Sequence, residues 1–306
     1  MRENIPVIRL RIKSGILVAR DGVILCFFMR RSHKEVAPAI WRALQTYLRA
    51  IPPQSLGWYG SDDGDMLPLD DKGWEVIRKQ ILERPWGLEW LVDLAEDPGE
   101  AGGYHFNYDG RKLDDPMFSH DEGATSGVSF SFPTEYLLEH GPGHLRALAL
   151  ELARELPFSF GYASLAFVSH QGAWFAARRQ LPDLLERYPG LDLYHLGDTS
   201  RIIGTCARGV YWLTFLGQPL LGQLGGIEGL RHELSFPEVS FHVLEGERVL
   251  LSLGEWPEAI DTTKEHHLPQ YLALAHMLEP FLYEEHTNRL CVDKDNMRRW
   301  ILHLSR

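Results

Sequence analysis

Three stretches of the chain share one layout: a strand, a tight turn, a second strand, then a long amphipathic helix. A helix that follows a hairpin buries its apolar stripe by lying on the sheet. Repeating that unit predicts an α+β protein with mostly antiparallel sheet and helices packed on it, not a doubly wound parallel sheet. The first unit reads as residues 15–20, a turn at Asp21-Gly22, a strand over 23–29 and a helix over 34–50. Asp-Gly between apolar runs is a hairpin signal because glycine tolerates the positive φ of the turn. Ala37, Ile40, Trp41, Leu44, Tyr47 and Leu48 recur at helical spacing, and Pro52-Pro53 end the helix. The third unit reads as strands over 239–244 and 248–253 around Glu245-Gly246-Glu247, then a helix near 267–283.

The second unit is looser. Residues 104–108 and 127–132 read as strands separated by an acidic loop, Thr134 reads as an N-cap, and a helix over about 143–156 follows. A buried strand over 162–169 and a helix over 181–188 follow, with further strands at 202–205 and 209–215. Two short helices, 218–224 and 227–234, are broken by Gly225-Gly226. The long loop sets the expected boundary near 119–127. It divides an N-terminal α+β lobe (1–122) with an acidic segment from a C-terminal α+β lobe (123–306), unless the two form one compact unit.

Charge is confined along the chain. Residues 60–125 hold 17 Asp and Glu against 6 Lys and Arg, a balance of −11 that equals the net charge of all 306 residues. Residues 1–59 carry +7 and residues 126–306 carry −7. The basic N-terminal residues Arg9, Arg11 and Lys13 alternate with Leu10 and Ile12, the pattern of one wet strand face. With a pI near 5.7 and no basic module, direct nucleic-acid binding is not expected. No run of about 18 apolar residues is present, so no membrane association is expected either. The early return of charge argues against a secretory signal. Cys26, Cys206 and Cys291 sit apart in apolar surroundings, as free thiols of a reducing compartment do, so a cytoplasmic protein is expected.

Little in the chain carries a recognisable catalytic pattern. His140 and His144 are four apart, but Gly141-Pro142-Gly143 breaks the helix that would align them. Arg231-His232-Glu233-Leu234 lacks the second histidine of a metalloprotease helix, and no nucleophile elbow is present. The glycine-rich run 222–229 lacks the Lys-Ser/Thr of a phosphate loop and reads as a helix–helix corner. Asp62-Asp63-Gly64-Asp65 is only a fragment of a calcium loop. No catalytic residue, metal ligand or cofactor is therefore assigned.

Aromatic residues do lie beside the acid. Trp58 and Tyr59 precede Asp62, Asp63 and Asp65, with Asp70 and Asp71 following; Trp86, Glu89, Trp90 and Asp93 form a second group. Rings that desolvate and charges that steer are what a protein–protein interface requires, so these eleven residues are the expected partner-binding set.

The second half then shows an ordered series of motifs. Phe132-Pro133-Thr134-Glu135-Tyr136 is followed by Leu156-Pro157-Phe158, Gly161-Tyr162-Ala163-Ser164-Leu165-Ala166-Phe167 and Tyr188-Pro189-Gly190-Leu191-Asp192. Then come 209–217 (Gly-Val-Tyr-Trp-Leu-Thr-Phe-Leu-Gly) and Leu224-Gly225-Gly226. In this order they resemble the bacterial type VI immunity family, over residues 105–300 and, more loosely, the first hairpin. The resemblance implies a cytoplasmic, non-enzymatic antidote that binds a cognate effector toxin delivered by the type VI secretion system. It points to a nuclease as that toxin, neutralised by occlusion of its active site or by blocked assembly. A homodimer stays open. The rival readings are a hydrolase or transferase with an unrecognised site and a non-catalytic adaptor.

Overall fold

Asp21-Gly22 does not turn. In the computed structural model, which describes residues 5–84, 87–118, 120–169, 174–193 and 195–284, both lie inside one thirteen-residue strand, β2 (Leu17–Met29). Asp21 is buried and accepts a hydrogen bond from the Ile8 amide at 2.6 Å, pinning β1 (Arg9–Arg11) along β2. Gly22 is needed for close approach: a Cβ there would lie 2.6 Å from a Val168 methyl and 2.8 Å from the Phe132 carbonyl oxygen. The dipeptide thus marks crowding between strands, the other reason for glycine within a strand.

Twelve strands among the described residues form one sheet. Besides β1 and β2 they are β3 (Trp58–Gly60), β4 (Met66–Pro68), β5 (Glu89–Ala95), β6 (His105–Arg111), β7 (Ser126–Pro133) and β8 (Phe160–Ser169). The last four are β9 (Asp192–Leu193), β10 (Leu213–Leu216), β11 (Ser240–Leu244) and β12 (Arg248–Ser252). The order is β11-β12-β10-β8-β2-β7-β6-β5-β3-β4, with β1 beside β2 and β9 beside β8. Among these strands of the described residues only β8 and β9 pair in parallel. The α+β class with mostly antiparallel pairing is as the sequence predicts.

The run Val23–Met29 is apolar at every position because β2 is covered on both faces. Val23, Leu25 and Phe27 enter one core, and Ile24, Cys26 and Phe28 enter the other. The first core is roofed by α1 (His33–Ala50), α2 (Asp71–Leu82), α3 (Thr134–His140), α4 (Pro142–Glu155) and α6 (Leu181–Arg187). The second lies under α8 (Leu220–Gln223), α9 (Gly226–Glu233) and α10 (Pro269–Leu278). Helix α1 starts where Glu35 accepts from the Ser32 amide at 2.8 Å, and it stops before the two prolines. Short α5 (Trp174–Ala177) and α7 (Leu196–Ser200) complete the helices named here.

Several boundaries differ from expectation. Residues 202–205 are a turn, the expected strand 209–215 shrinks to β10, and Pro133 rather than Thr134 occupies the cap position before α3. The hairpin β11–β12 and the paired helices α8 and α9 stand as predicted. Cys26 is buried and Cys206 half-buried, whereas Cys291 lies outside the described residues.

Candidate partner-binding surface

The acidic window, residues 60–125, is about half regular structure. It folds as the hairpin β3–β4, the helix α2 and the strands β5 and β6, which together form one end of the sheet. In the hairpin Trp58 faces Pro68, Tyr59 faces Leu67 and Gly60 faces Met66. Its tip is closed by Ser61, whose amide donates to the Asp65 carbonyl oxygen at 2.8 Å and whose carbonyl accepts from Gly64 at 3.0 Å. Gly64 turns the chain at φ +88°.

That turn spreads the carboxylates of Asp62, Asp63 and Asp65 into solvent. Asp62 lies 3.4 Å from Arg84, and the carboxylates of Asp63 and Asp65 meet no cation among the described residues. Trp58 and Tyr59 are half-buried at the root of the hairpin. Between the tip and α2 runs an open cleft of about 510 Å³, lined in part by Tyr59, Asp62, Val76, Lys79, Glu83 and Arg84. Exposed Leu67, Val76, Leu82 and Leu91 add apolar area to this end of the molecule.

The other residues of the expected set divide. Asp70 caps α2 by accepting from the Gly73 amide at 2.9 Å, and Asp71 begins the helix, where negative charge suits the N-terminal dipole. Glu89 is held between Arg201 at 3.2 Å and Arg111 at 3.5 Å. Trp90 and Asp93 turn inward: Trp90 is buried against His33, and Asp93 is paired with His105 of β6. Neither forms part of the exposed surface. Trp86 lies outside the described residues.

Three acids of the loop 112–125, Asp114, Asp115 and Asp121, are engaged internally. Lys34 and Ser32 hold the Asp114 carboxyl at about 2, well below the ordinary range. Asp121 accepts from the amides of Gly123 and Ala124, both at 3.0 Å, and Arg30 reaches the Asp121 and Ala124 carbonyls. Beneath the loop, buried Arg111 donates to Asp109 at 2.8 Å and to Ser200 at 3.0 Å, joining β6 to α7. Burial pushes the Asp109 carboxyl up, and the adjacent Arg111 opposes that shift. Sequence reasoning did not single out this cluster. The alternation His105, Asn107, Asp109, Arg111 on one strand face was the available signal.

A family model described as TsiV, type VI immunity for VRR-NUC, matches residues 39–301, and the chain belongs to that family. Its partner is accordingly an effector protein. A structure titled Pseudomonas aeruginosa T6SS protein PA0821 superposes with a TM-score of 0.75 at 20% identity, covering 96% of this chain and 90% of that one. The fold is therefore shared across nearly the full chain. No curated protein matches the sequence. The family motifs do structural work, as Gly190 shows: a Cβ there would lie 2.1 Å from the Glu258 carbonyl oxygen. No helix among the described residues is long and apolar enough to cross a membrane.

Proposed function

We propose that this protein neutralises a VRR-NUC effector by binding alone, with the β3–β4 hairpin laid into the basic groove that the nuclease uses for its substrate. The observation that carries this reading is the set of exposed carboxylates, Asp62, Asp63 and Asp65, the last two without a cationic partner among the described residues, on a hydrogen-bonded turn beside Trp58 and Tyr59. A nuclease cleft must be positive to hold phosphate, and an acidic projection both steers toward it and excludes the nucleic acid. The half-buried rings and the exposed Leu67, Val76, Leu82 and Leu91 supply the desolvated contact that charge alone lacks. On this reading the protein has no catalytic step, needs no cofactor, does not itself bind nucleic acid and works in the cytoplasm, where the nuclease meets its substrate.

Replacing Asp62, Asp63 and Asp65 together by lysine is expected to slow association with the effector about tenfold or more at low salt, and to flatten the salt dependence of the on-rate. Stopped-flow mixing of the purified proteins measures both. The three side chains are exposed, so the fold should be retained. An on-rate that is independent of salt in the wild type, or unchanged in the variant, rules out this surface.

A further inference from the structure

The break between α3 and α4 does not separate His140 from His144. Gly141 adopts φ +83°, Pro142 opens α4, and the chain folds so that His140 stacks on the Tyr136 ring while the tilted His144 ring meets the Tyr136 hydroxyl. The His140 and His144 ring centroids are 5.1 Å apart. Hydrogen bonds fix both tautomers. His140 Nδ1 lies 3.0 Å from the Tyr136 carbonyl oxygen, which can only accept, so Nδ1 carries the proton and Nε2 is bare. The Tyr136 hydroxyl donates its single proton to the Ala50 carbonyl oxygen at 3.0 Å. Its 3.0 Å contact with His144 Nε2 therefore requires the proton on that nitrogen and leaves Nδ1 bare.

Both side chains are exposed, and neither bare nitrogen has a partner among the described residues. An imidazole whose N–H is anchored to an oxygen while its other nitrogen stays free is the form in which histidines are held for metal. The spacing agrees as well. Two imidazoles bound at about 2 Å to one ion with a tetrahedral angle between them place their centroids about 5 Å apart.

We propose that His140 and His144 together bind one first-row divalent cation, of the zinc, nickel or copper class, with water completing its coordination. Among the described residues no third His, Cys, Asp or Glu joins them, so the affinity falls below that of a closed four-ligand site. The ion would tie the last residue of α3 to the first turn of α4 and stiffen the corner where Gly141 bends the chain. This inference is independent of the proposed binding to the nuclease.

Calorimetric titration of the untagged full chain with zinc chloride at neutral pH tests it. One saturable zinc site is expected in the wild type, together with a zinc-dependent rise in Tm. His140→Gln and His144→Gln should each weaken the site at least tenfold and abolish the rise in Tm. His232→Gln, on the exposed face of α9, should change neither. Absence of saturable binding in the wild type overturns the proposal whatever the variants do. Undiminished binding in both variants also overturns it, since the ion would then sit elsewhere among the fourteen histidines.

Discussion

Asp192→Ala is expected to lower stability by about 3–5 kcal/mol, measured by urea unfolding at neutral pH. Asp192 lies on β9 and is fully buried. One carboxylate oxygen accepts from the Tyr162 hydroxyl at 2.7 Å, and the other pairs with the Arg208 guanidinium. Arg208 also donates to the Leu193 carbonyl oxygen at 2.8 Å, and the Tyr211 ring stacks on Tyr162 with centroids 3.9 Å apart. Burial alone would disfavour the Arg208 charge; Asp192 and the surrounding tyrosines more than offset it and hold the guanidinium protonated. Removing the carboxylate leaves that cation buried without a counter-charge, the costly half of a broken ion pair. Asp192→Asn keeps an acceptor for Tyr162 and should fall between the two. A loss below about 1 kcal/mol for the alanine variant would mean that water reaches Arg208 and that the pair is not buried in solution.

The cluster also explains why the motifs of the second half reveal the family without revealing the contact surface. Asp192 closes the Tyr188–Asp192 motif, Tyr162 belongs to the 161–167 motif, and Tyr211 lies in the 209–217 motif. Three separate segments meet around one guanidinium, so the order of the motifs records an internal constraint. Fold and the proposed binding surface are carried by different residues, as is general for sites grafted on a scaffold.

Legibility of the sequence followed the same division. The hairpin β11–β12 and the helices α1, α4, α8 and α9 could be read because apolar periodicity and turn chemistry agreed locally. Asp21-Gly22 carried the same local signal but answered to a tertiary cause, the crowding of Val168 and Phe132. The acidic window concealed the most structure. Strands β3 and β4 have three residues each, too few to show alternation, and α2 has so many charged positions that only Gly73, Ile77 and Ile81 are buried. The exposed tip of the hairpin was nonetheless foreseeable, because Asp62-Asp63-Gly64-Asp65 is a turn composition with no apolar residue to bury. Trp90 and Asp93 could not be oriented, since in the mixed run Glu89–Ala95 all but Glu89 and Leu91 are buried.

Acidification should destabilise the acidic end of the sheet through His33, whose ring is wedged between α1, α2, β5 and β6. Its Nδ1 accepts from the Tyr108 hydroxyl at 2.8 Å, its other nitrogen bonds the Ile81 backbone at the end of α2, and its face stacks on Trp90 with centroids 4.0 Å apart. Burial lowers its pKa to about 4, and the Ile81 hydrogen bond offsets only part of that shift. An unfolded histidine titrates near about 6.5. Between those values the unfolded chain binds a proton that the folded chain refuses, so stability rises with pH across the window. The contribution of neutral His33 is complete above about pH 6.5 and declines as pH falls toward 4, by about 2 kcal/mol after allowance for residual solvent screening. His33→Gln keeps polar contacts but cannot titrate. The difference in unfolding free energy between wild type and variant should therefore shift by that amount from pH 7 to pH 4, whereas a pH-independent difference would refute the assignment. The loss should also be local. A charged imidazole has no acceptor to offer Tyr108 and sits against the ring that anchors β5, so amide exchange in α2 and the β3–β4 hairpin should accelerate before that in β8 and β10. Effector binding should then weaken in acid by way of the lobe that carries Asp62, Asp63 and Asp65, even though none of those carboxylates touches His33.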